Sequence, residues 1–197
     1  MNQKGFQLIE LIAVLAILAC LLGLGAPPLL RSSGDLRLRL AAGELVGVLR
    51  LARSYAVRHS LNVAVKFRTA KNGEVTFTLY RDGDGDGVLN RDIDSGADPE
   101  VVPPQRLTQL GRGLGFGFPP GPPPPDPGSP QRPLDNLDDP IRFNQSDLAS
   151  FSPLGTATPG SLYLTDSVKR LAVVRVFNRT GKVRVLTYDP EKQVWRE

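Results

Sequence analysis

The sequence predicts an α+β protein in which a long N-terminal helix packs on an antiparallel β-sheet head. The first observation is an apolar run over residues 6–26, followed by apolar residues at every third or fourth position over residues 36–58, which is typical of helix. The second is an alternation of apolar and polar residues in several short segments beyond residue 62, which is typical of half-buried strands. A helix followed by successive strands indicates an α+β fold with the helix covering one sheet face.

Composition argues against several classes of protein. The chain has 197 residues, enough for one compact domain and an accessory segment. It holds one cysteine, Cys20, and one histidine, His59, so an intramolecular disulfide is excluded and a Ser/His/Asp triad or a zinc site is hard to assemble. We therefore expect a protein that is not an enzyme. The net charge of +4 is compatible with contact to an acidic membrane surface or to nucleic acid, without requiring either.

The apolar run is long enough to cross a membrane. Residues 6–26 are apolar or small except for Gln7 and Glu10, and about 20 such residues span a bilayer core of about 30 Å. Lys4 precedes the run and the polar bulk of the chain follows it, so we expect the N-terminus on the cytoplasmic side and the rest outside. Pro27-Pro28 ends the run and is expected to kink or interrupt the helix, since proline has no N–H.

Glu10 is the informative residue of this run. A carboxylate within a membrane span costs a few kcal/mol, so it needs a partner or a role. The segment Lys4-Gly5-Phe6-Gln7-Leu8-Ile9-Glu10 resembles the type IV prepilin cleavage and methylation signal. The resemblance implies that a prepilin peptidase cuts between Gly5 and Phe6, that Phe6 is then N-methylated, and that Glu10 pairs with the N-terminal ammonium of a neighbouring subunit. The alternative is a plain signal anchor with Glu10 near the membrane edge.

The resemblance implies a division of the chain into a leader over residues 1–5, a transmembrane and filament-core helix over 6–26, and a periplasmic α+β head over 27–197. In the head, residues 36–58 form an amphipathic helix whose off-stripe arginines, such as Arg53, face solvent. Segments around Asn72-Gly73 form a β-hairpin. Four further strands are predicted at residues 141–143, 161–165, 171–177 and 182–187.

A Pro/Gly-rich insert over residues 111–133 interrupts this pattern. Because it contains Pro122-Pro123-Pro124-Pro125 and few groups able to bury, we expect an exposed segment, partly polyproline II, without a core of its own. A spacer role is favoured over Pro-rich recognition.

Two further segments carry a second resemblance. The helix segment Leu45-Val46-Gly47-Val48-Leu49-Arg50-Leu51-Ala52-Arg53-Ser54-Tyr55-Ala56 and the segment Phe151-Ser152-Pro153-Leu154-Gly155-Thr156-Ala157 are similar to the GspH/FimT family of minor pilins. The resemblance implies a structural subunit of a type II secretion pseudopilus or a type IV pilus. Its partners would be other pilins or pseudopilins through the N-terminal helix, the prepilin peptidase, and the inner membrane before assembly. A FimT-like minor pilin that binds DNA for uptake is the alternative.

An acidic segment, Asp82-Gly83-Asp84-Gly85-Asp86-Gly87, has the spacing of a calcium loop. Calcium is the one cofactor that the sequence suggests, and a soluble acidic turn is the alternative. Ile93 occupies the position where a bidentate acid is expected, so neighbouring acids would have to substitute. The candidate ligands are Asp82, Asp84 and Asp86 through their side chains, Val88 through its carbonyl, Asn90, and the flanking Asp92 and Asp94.

Basic residues near the C-terminus suggest contact with DNA. Lys182 and Arg184 lie two apart on a predicted strand and share a face, and Arg179 lies in the preceding turn. In FimT-like pilins a Gly-Arg-x-Arg segment of this region is implicated in DNA binding, and here the resemblance covers Gly181-Lys182-Val183-Arg184. Lysine keeps the charge but loses the bidentate fork of arginine. The alternative is an edge strand protected by its charges.

Overall fold

The computed structural model describes residues 8–110, 113–177 and 180–197, and within its long helix not the side chains of residues 21–33. The chain divides into two compact units, Met1–Arg37 and Leu38–Glu197, and we call the second unit the head. In chain order the elements are α1 (Leu8–His59), β1 (Val63–Thr69), β2 (Val75–Arg81), α2 (Asn90–Ser95), β3 (Glu100–Arg106), β4 (Gly115–Phe116), β5 (Pro125–Asp126), β6 (Ser129–Pro133), β7 (Ile141–Arg142), β8 (Leu148–Phe151), β9 (Gly160–Thr165), β10 (Leu171–Phe177), β11 (Lys182–Asp189) and β12 (Val194–Arg196). The α+β prediction, with a long N-terminal helix and antiparallel sheets, is confirmed.

The helix α1 is continuous. The predicted interruption at Pro27-Pro28 is wrong, because the helix is assigned through both positions without a break. Two prolines remove two N–H donors from the helical ladder, but the turns on either side keep their hydrogen bonds. Among the described residues, no helix carries an apolar stretch of the length that a bilayer crossing requires. The transmembrane helix over residues 6–26 stays a prediction, and its first two residues lie outside the described part of the chain.

Two antiparallel sheets build the head. The first has the strand order β3-β2-β1-β8, and the predicted hairpin of β1 and β2 lies at its centre. In the connection, Asn72 Oδ1 accepts a hydrogen bond from the Glu74 N–H at 3.0 Å and Gly73 takes a left-handed φ of 79°. The second sheet has the order β12-β11-β10-β9-β4, and β7 also pairs with β9.

One core joins α1 to both sheets. The predicted apolar stripe of the helix is confirmed, since its side chains are buried in a single cluster with alternate residues of both sheets. The off-stripe arginines of the helix are exposed, as predicted. The helical members of the cluster are Leu38, Ala41, Ala42, Leu45, Val48, Leu49, Ala52 and Ala56.

Each sheet also has a covered outer face. On the first sheet, Val88 and Ile93 from the segment after β2 pack on Tyr80 and its neighbours. On the second sheet, Leu134 and Phe118 pack on Tyr163 and Val173. These satellite clusters explain why two long connections without predicted strands are nonetheless ordered against the head.

The Pro/Gly-rich insert is less exposed than predicted. Its β6 is exposed throughout, but Leu114 and Pro124 are buried and β4 pairs with β9. The strands β5 and β6 form a small hairpin, and the indole N–H of Trp195 donates to the Pro125 carbonyl at 2.7 Å. The prediction failed because the insert's few apolar residues do find buried surroundings: Leu114 and Phe116 join the main core with the helix, and Phe118 packs on the outer face of the second sheet.

Candidate functional site

The processing residues lie at the start of the chain. Gly5 and Phe6 are outside the described residues, so the cleavage site stays a prediction. Glu10 lies in the first turn of α1 and is exposed. The large apolar side chains from Leu8 to Leu18 are also exposed, by 48% to 76%.

The acidic loop between β2 and α2 is organised by Asp82. Its carboxylate accepts hydrogen bonds from the Gly85 N–H at 2.7 Å, the Gly87 N–H at 3.0 Å and the Asn62 side-chain amide at 2.9 Å. Both glycines have a left-handed φ, which lets the backbone turn back on the carboxylate. The loop therefore folds around the Asp82 carboxylate, which accepts hydrogen bonds from the loop's own backbone N–H groups.

Asp98 is the second organiser, and the sequence analysis did not single it out. Its side chain is buried and accepts hydrogen bonds from the Gly83 N–H at 3.0 Å and the Leu89 N–H at 2.9 Å. At Gly83 a Cβ atom would lie 1.9 Å from the Ala97 carbonyl oxygen, so only glycine fits there. Asp98 thus ties the two ends of the loop together.

The structure brings three of the predicted calcium ligands together and gives others different partners. One carboxylate oxygen each from Asp82, Asp84 and Asp86 lies within 4.8 Å of the others. The Asn90 amide instead accepts from Lys66 Nζ at 2.7 Å and donates to the Ser146 carbonyl at 2.9 Å. Hard cations are bound by converging oxygens, and among the described residues such convergence is confined to these three carboxylates.

The remaining predicted ligands have other surroundings. Asp92 accepts from Arg91 Nε at 3.1 Å, Asp94 is exposed, and the Val88 side chain is buried on the first sheet. Ile93 packs against the same cluster as Val88. The helix α2 therefore uses its apolar residue for docking, which accounts for an isoleucine where a calcium loop would carry an acid.

Two of the clustered carboxylates, those of Asp82 and Asp86, differ electrostatically. Burial raises the pKa of Asp82, but the hydrogen bonds from Asn62, Gly85 and Gly87 outweigh it, so the pKa is lowered overall. The pKa of Asp86 is raised by loss of solvent contact and by Asp84 and Asp92, against the pull of Arg91, whose Nη2 lies 2.6 Å from Asp86 Oδ2. A cation at this position would relieve repulsion at Asp86 more than at Asp82.

The predicted DNA-contact residues lie on β11. Lys182 is exposed, and the Arg184 side chain is 40% exposed and 3.5 Å from Glu197 Oε1. Arg179 lies outside the described residues. The structure adds two neighbours that sequence reasoning missed: in the pairing of β10 with β11, Arg175 lies opposite Arg184 and Phe177 opposite Lys182. Only the register of the two strands reveals this juxtaposition, because the pairs are nine and five residues apart in sequence.

Comparison with known proteins gives one match. A family model described as type II transport protein GspH matches residues 41–181. The chain belongs to the GspH family. No curated protein and no solved structure gives a significant match. At family level, GspH membership indicates a type II secretion pseudopilin that associates with other pseudopilins.

The GspH match spans the two segments that carried the resemblance in sequence, and the structure joins them. Arg53 Nε of α1 donates to the Gly155 carbonyl at 3.0 Å. Gly155 has a left-handed φ of 73° and lies in the loop between β8 and β9. The helix and the loop of this GspH-family head are therefore one structural feature, in which a helix arginine holds the loop by its backbone.

Proposed function

We propose that this chain is a minor pilin or pseudopilin, a structural subunit of a type II secretion pseudopilus or a type IV pilus that supports protein secretion or pilus assembly. The observation that carries the proposal is the exposure of the N-terminal helix. From Leu8 to Leu18 its large apolar side chains are exposed on every side, by 48% to 76%. Apart from Glu10, this segment is apolar on all sides, and such a helix is stable only when it is surrounded by other helices or by lipid.

The part of α1 in the head supports the same proposal. Opposite the buried stripe, the helix presents Leu40 and Leu51, which are 49% and 47% exposed. Between them lie Gly43 and Gly47, where no atom lies within 4 Å of a Cβ position. An apolar face with two open glycines lets a second helix approach the backbone closely.

The proposed life cycle follows from the start of the chain. The subunit is inserted in the inner membrane as a single-pass protein with a cytoplasmic N-terminus and a periplasmic head. A prepilin peptidase removes residues 1–5 by cutting between Gly5 and Phe6, and Phe6 is N-methylated. Glu10 then pairs with the N-terminal ammonium of a neighbouring subunit, because a carboxylate and an ammonium that leave water together cost less than either alone.

Introducing a charge on the exposed apolar face of α1 tests the proposal. Leu40→Glu alters an exposed position, so the head should fold as before, yet it places a carboxylate in the proposed helix contact. We expect co-purification of other pseudopilins after cross-linking in cells, together with export by the secretion system, to fall about tenfold or more. The matched control, Lys71→Glu in the exposed connection between β1 and β2, should leave both intact. Normal assembly and export with Leu40→Glu would contradict the proposal.

We infer a second candidate function, DNA binding during uptake, from the face of β11. Lys182 and Arg184 lie on the outer face of the second sheet, away from the helix, and Lys182 is exposed. Phosphate contacts from such residues position DNA without reading its sequence. Arg179 would add a third contact from the adjacent turn.

Salt dependence decides between this function and generic positive charge. Counterion release makes affinity fall with salt, so removing two phosphate contacts should weaken binding to unrelated duplexes equally and flatten the logarithmic salt slope by about 2. Fluorescence anisotropy would compare the wild-type chain with Lys182→Ala/Arg184→Ala. The control, Lys71→Ala/Arg106→Ala, removes two exposed charges, one from the connection between β1 and β2 and one from β3 of the first sheet. Undetectable wild-type binding at low salt, or equal losses in both variants, would eliminate DNA as a partner of β11.

A further inference from the structure

Two arginines lie side by side on the outer face of the second sheet. Arg175 of β10 lies directly opposite Arg184 of β11, and like charges in that arrangement destabilise a strand pair. Both guanidinium groups approach the ring of Phe177, with Cζ atoms 4.9 Å and 5.5 Å from its centroid. Contact with the same ring keeps the two positive guanidinium groups near one another, so they repel each other electrostatically. An anion bound between them would remove this repulsion.

One nitrogen of this arginine pair lacks a hydrogen-bond partner. Arg175 Nη1 is buried and has no hydrogen-bond partner. A buried donor without a partner is rare in native proteins and usually marks strain or a missing ligand or water. The carboxylate of Glu197 lies 3.5 Å from Arg184 Nε, and the two side chains are 65% and 40% exposed, so this ion pair contributes little.

The tip of the β5–β6 hairpin covers the Arg175 guanidinium. A Cβ atom at Gly128 would lie 2.9 Å from Arg175 Nη2 and 3.1 Å from Nη1, so glycine permits this close approach. The carboxylate of Asp126 in this hairpin accepts a hydrogen bond from the Gly128 N–H at 2.6 Å and so stabilises the hairpin turn. A two-stranded hairpin is only marginally stable by itself. It is tied to the head through Trp195. Binding of a ligand at Arg175 Nη1 would require the hairpin tip to move aside.

We propose that Arg175 and Arg184, held on Phe177 beneath this hairpin, form a binding site for a phosphate-type oxyanion. A tetrahedral oxyanion offers several acceptors, and the planar forks of two guanidinium groups match that geometry. The anion would satisfy Arg175 Nη1 and neutralise the opposed pair. The site requires neither filament assembly nor the exposed Lys182 contact, since it is a property of the isolated chain.

Thermal melts of the full-length chain in detergent test the site. At equal ionic strength, replacing chloride by inorganic phosphate should raise the Tm by about 3–6 °C at ten times the Kd, which we expect in the millimolar range. Arg175→Gln and Arg184→Gln should each abolish most of this shift. Arg175→Lys keeps the charge but loses the fork, and should retain only part of it. Arg106→Gln, on the first sheet, is the control and should keep the full shift.

For each variant, the Tm in phosphate is compared with the Tm of the same variant in chloride. A substitution that changes the Tm in both salts equally therefore does not affect the measured shift. A second titration with dimethyl phosphate distinguishes the sources of the anion. A shift with both ligands supports a phosphodiester, as in a nucleic-acid backbone or a lipid headgroup, whereas a shift with inorganic phosphate alone supports a free phosphate or monoester. No shift in the wild-type chain, or the same shift in the Arg175→Gln and Arg106→Gln variants, would overturn the proposal.

Discussion

Asp98 illustrates how single carboxylates shape this head. It is buried, yet both of its oxygens accept backbone N–H groups, from Gly83 and Leu89. Removing it leaves those two donors without partners, which is costlier than the loss of an ordinary surface contact.

We therefore expect Asp98→Ala to lower the free energy of unfolding by about 2–4 kcal/mol, because two hydrogen bonds to a charged acceptor are lost. Asp94→Ala, four residues earlier at an exposed position, should change it by less than about 0.5 kcal/mol. Urea denaturation followed by circular dichroism measures both. Equal stability of the two variants would mean that water replaces the Asp98 carboxylate without cost.

The calcium prediction also belongs to this loop. Its converging carboxylates are those of Asp82, Asp84 and Asp86. The Asp82 carboxylate already accepts a hydrogen bond from a backbone N–H of the loop. If calcium binds, it should stabilise the chain by RT ln(1 + [L]/Kd), which at millimolar calcium gives a Tm increase of a few degrees. Asp84→Asn should reduce that increase while leaving the Asp82 hydrogen bonds intact. Identical melting temperatures with calcium and with chelator would instead favour the acidic turn.

Asp166 gives the head a predictable acid sensitivity. Burial alone would raise its pKa, but N–H groups of Arg170, Lys169 and Val168 and the Arg170 guanidinium lower it to about 2. Because the folded pKa lies below the ordinary value of 3.8, the charged carboxylate stabilises the fold above about pH 4.

This contribution, about 2 kcal/mol, is lost as the pH falls from about 4 towards 2. The stability difference between wild type and Asp166→Asn should therefore be largest near pH 6 and shrink below pH 4. Urea melts across this range measure it, and a difference that does not change with pH would contradict the assignment.

At the scale of the elements, α1 has two faces with different tasks. Leu45 is fully buried between the sheets, whereas Leu40 is 49% exposed. Core leucines truncated to alanine lose both transfer free energy and packing, so Leu45→Ala should cost about 2–5 kcal/mol of unfolding free energy. Leu40→Ala should cost about 0.5 kcal/mol or less in the isolated chain. Chemical denaturation of the two purified variants is the comparison, and similar losses would show that the exposed face already contributes to the head alone.

Helices and strands whose side chains enter the core could be predicted from the sequence, and exposed elements could not. The hairpin of β1 and β2 and the strand β10 were predicted because their alternating residues enter the core. The strand β3 was missed, since Pro103 and Pro104 occupy it and most of its side chains are exposed. The helix α2 was missed because it has six residues and one docked apolar side chain, Ile93.

The candidate sites show the same limit. The carboxylates of the acidic loop were found because their spacing is local. Asp98 was missed because its contact with Gly83 spans 15 residues, and Arg175 because its position opposite Arg184 depends on strand register. Local patterns predict elements and loops, whereas contacts between elements need the fold.

At the scale of the whole molecule, the chain combines a head that matches the GspH family with an N-terminal helix segment whose large apolar side chains are exposed. The head holds its helix through a buried stripe and covers the outer faces of both sheets. Under the proposed function, the exposed surfaces of the same helix would contact other subunits. The central claim is that this chain is processed and assembled as a pilin-like subunit.

Mass spectrometry of the protein extracted from membranes tests that claim most directly. The account predicts a chain that begins at Phe6, lacks residues 1–5 and carries one methyl group on its N-terminal nitrogen. It further predicts that Glu10→Val leaves this mass change intact, because the residue acts in assembly and not in cleavage. A chain that retains Met1, or one whose mature end lies beyond residue 26, would contradict the account.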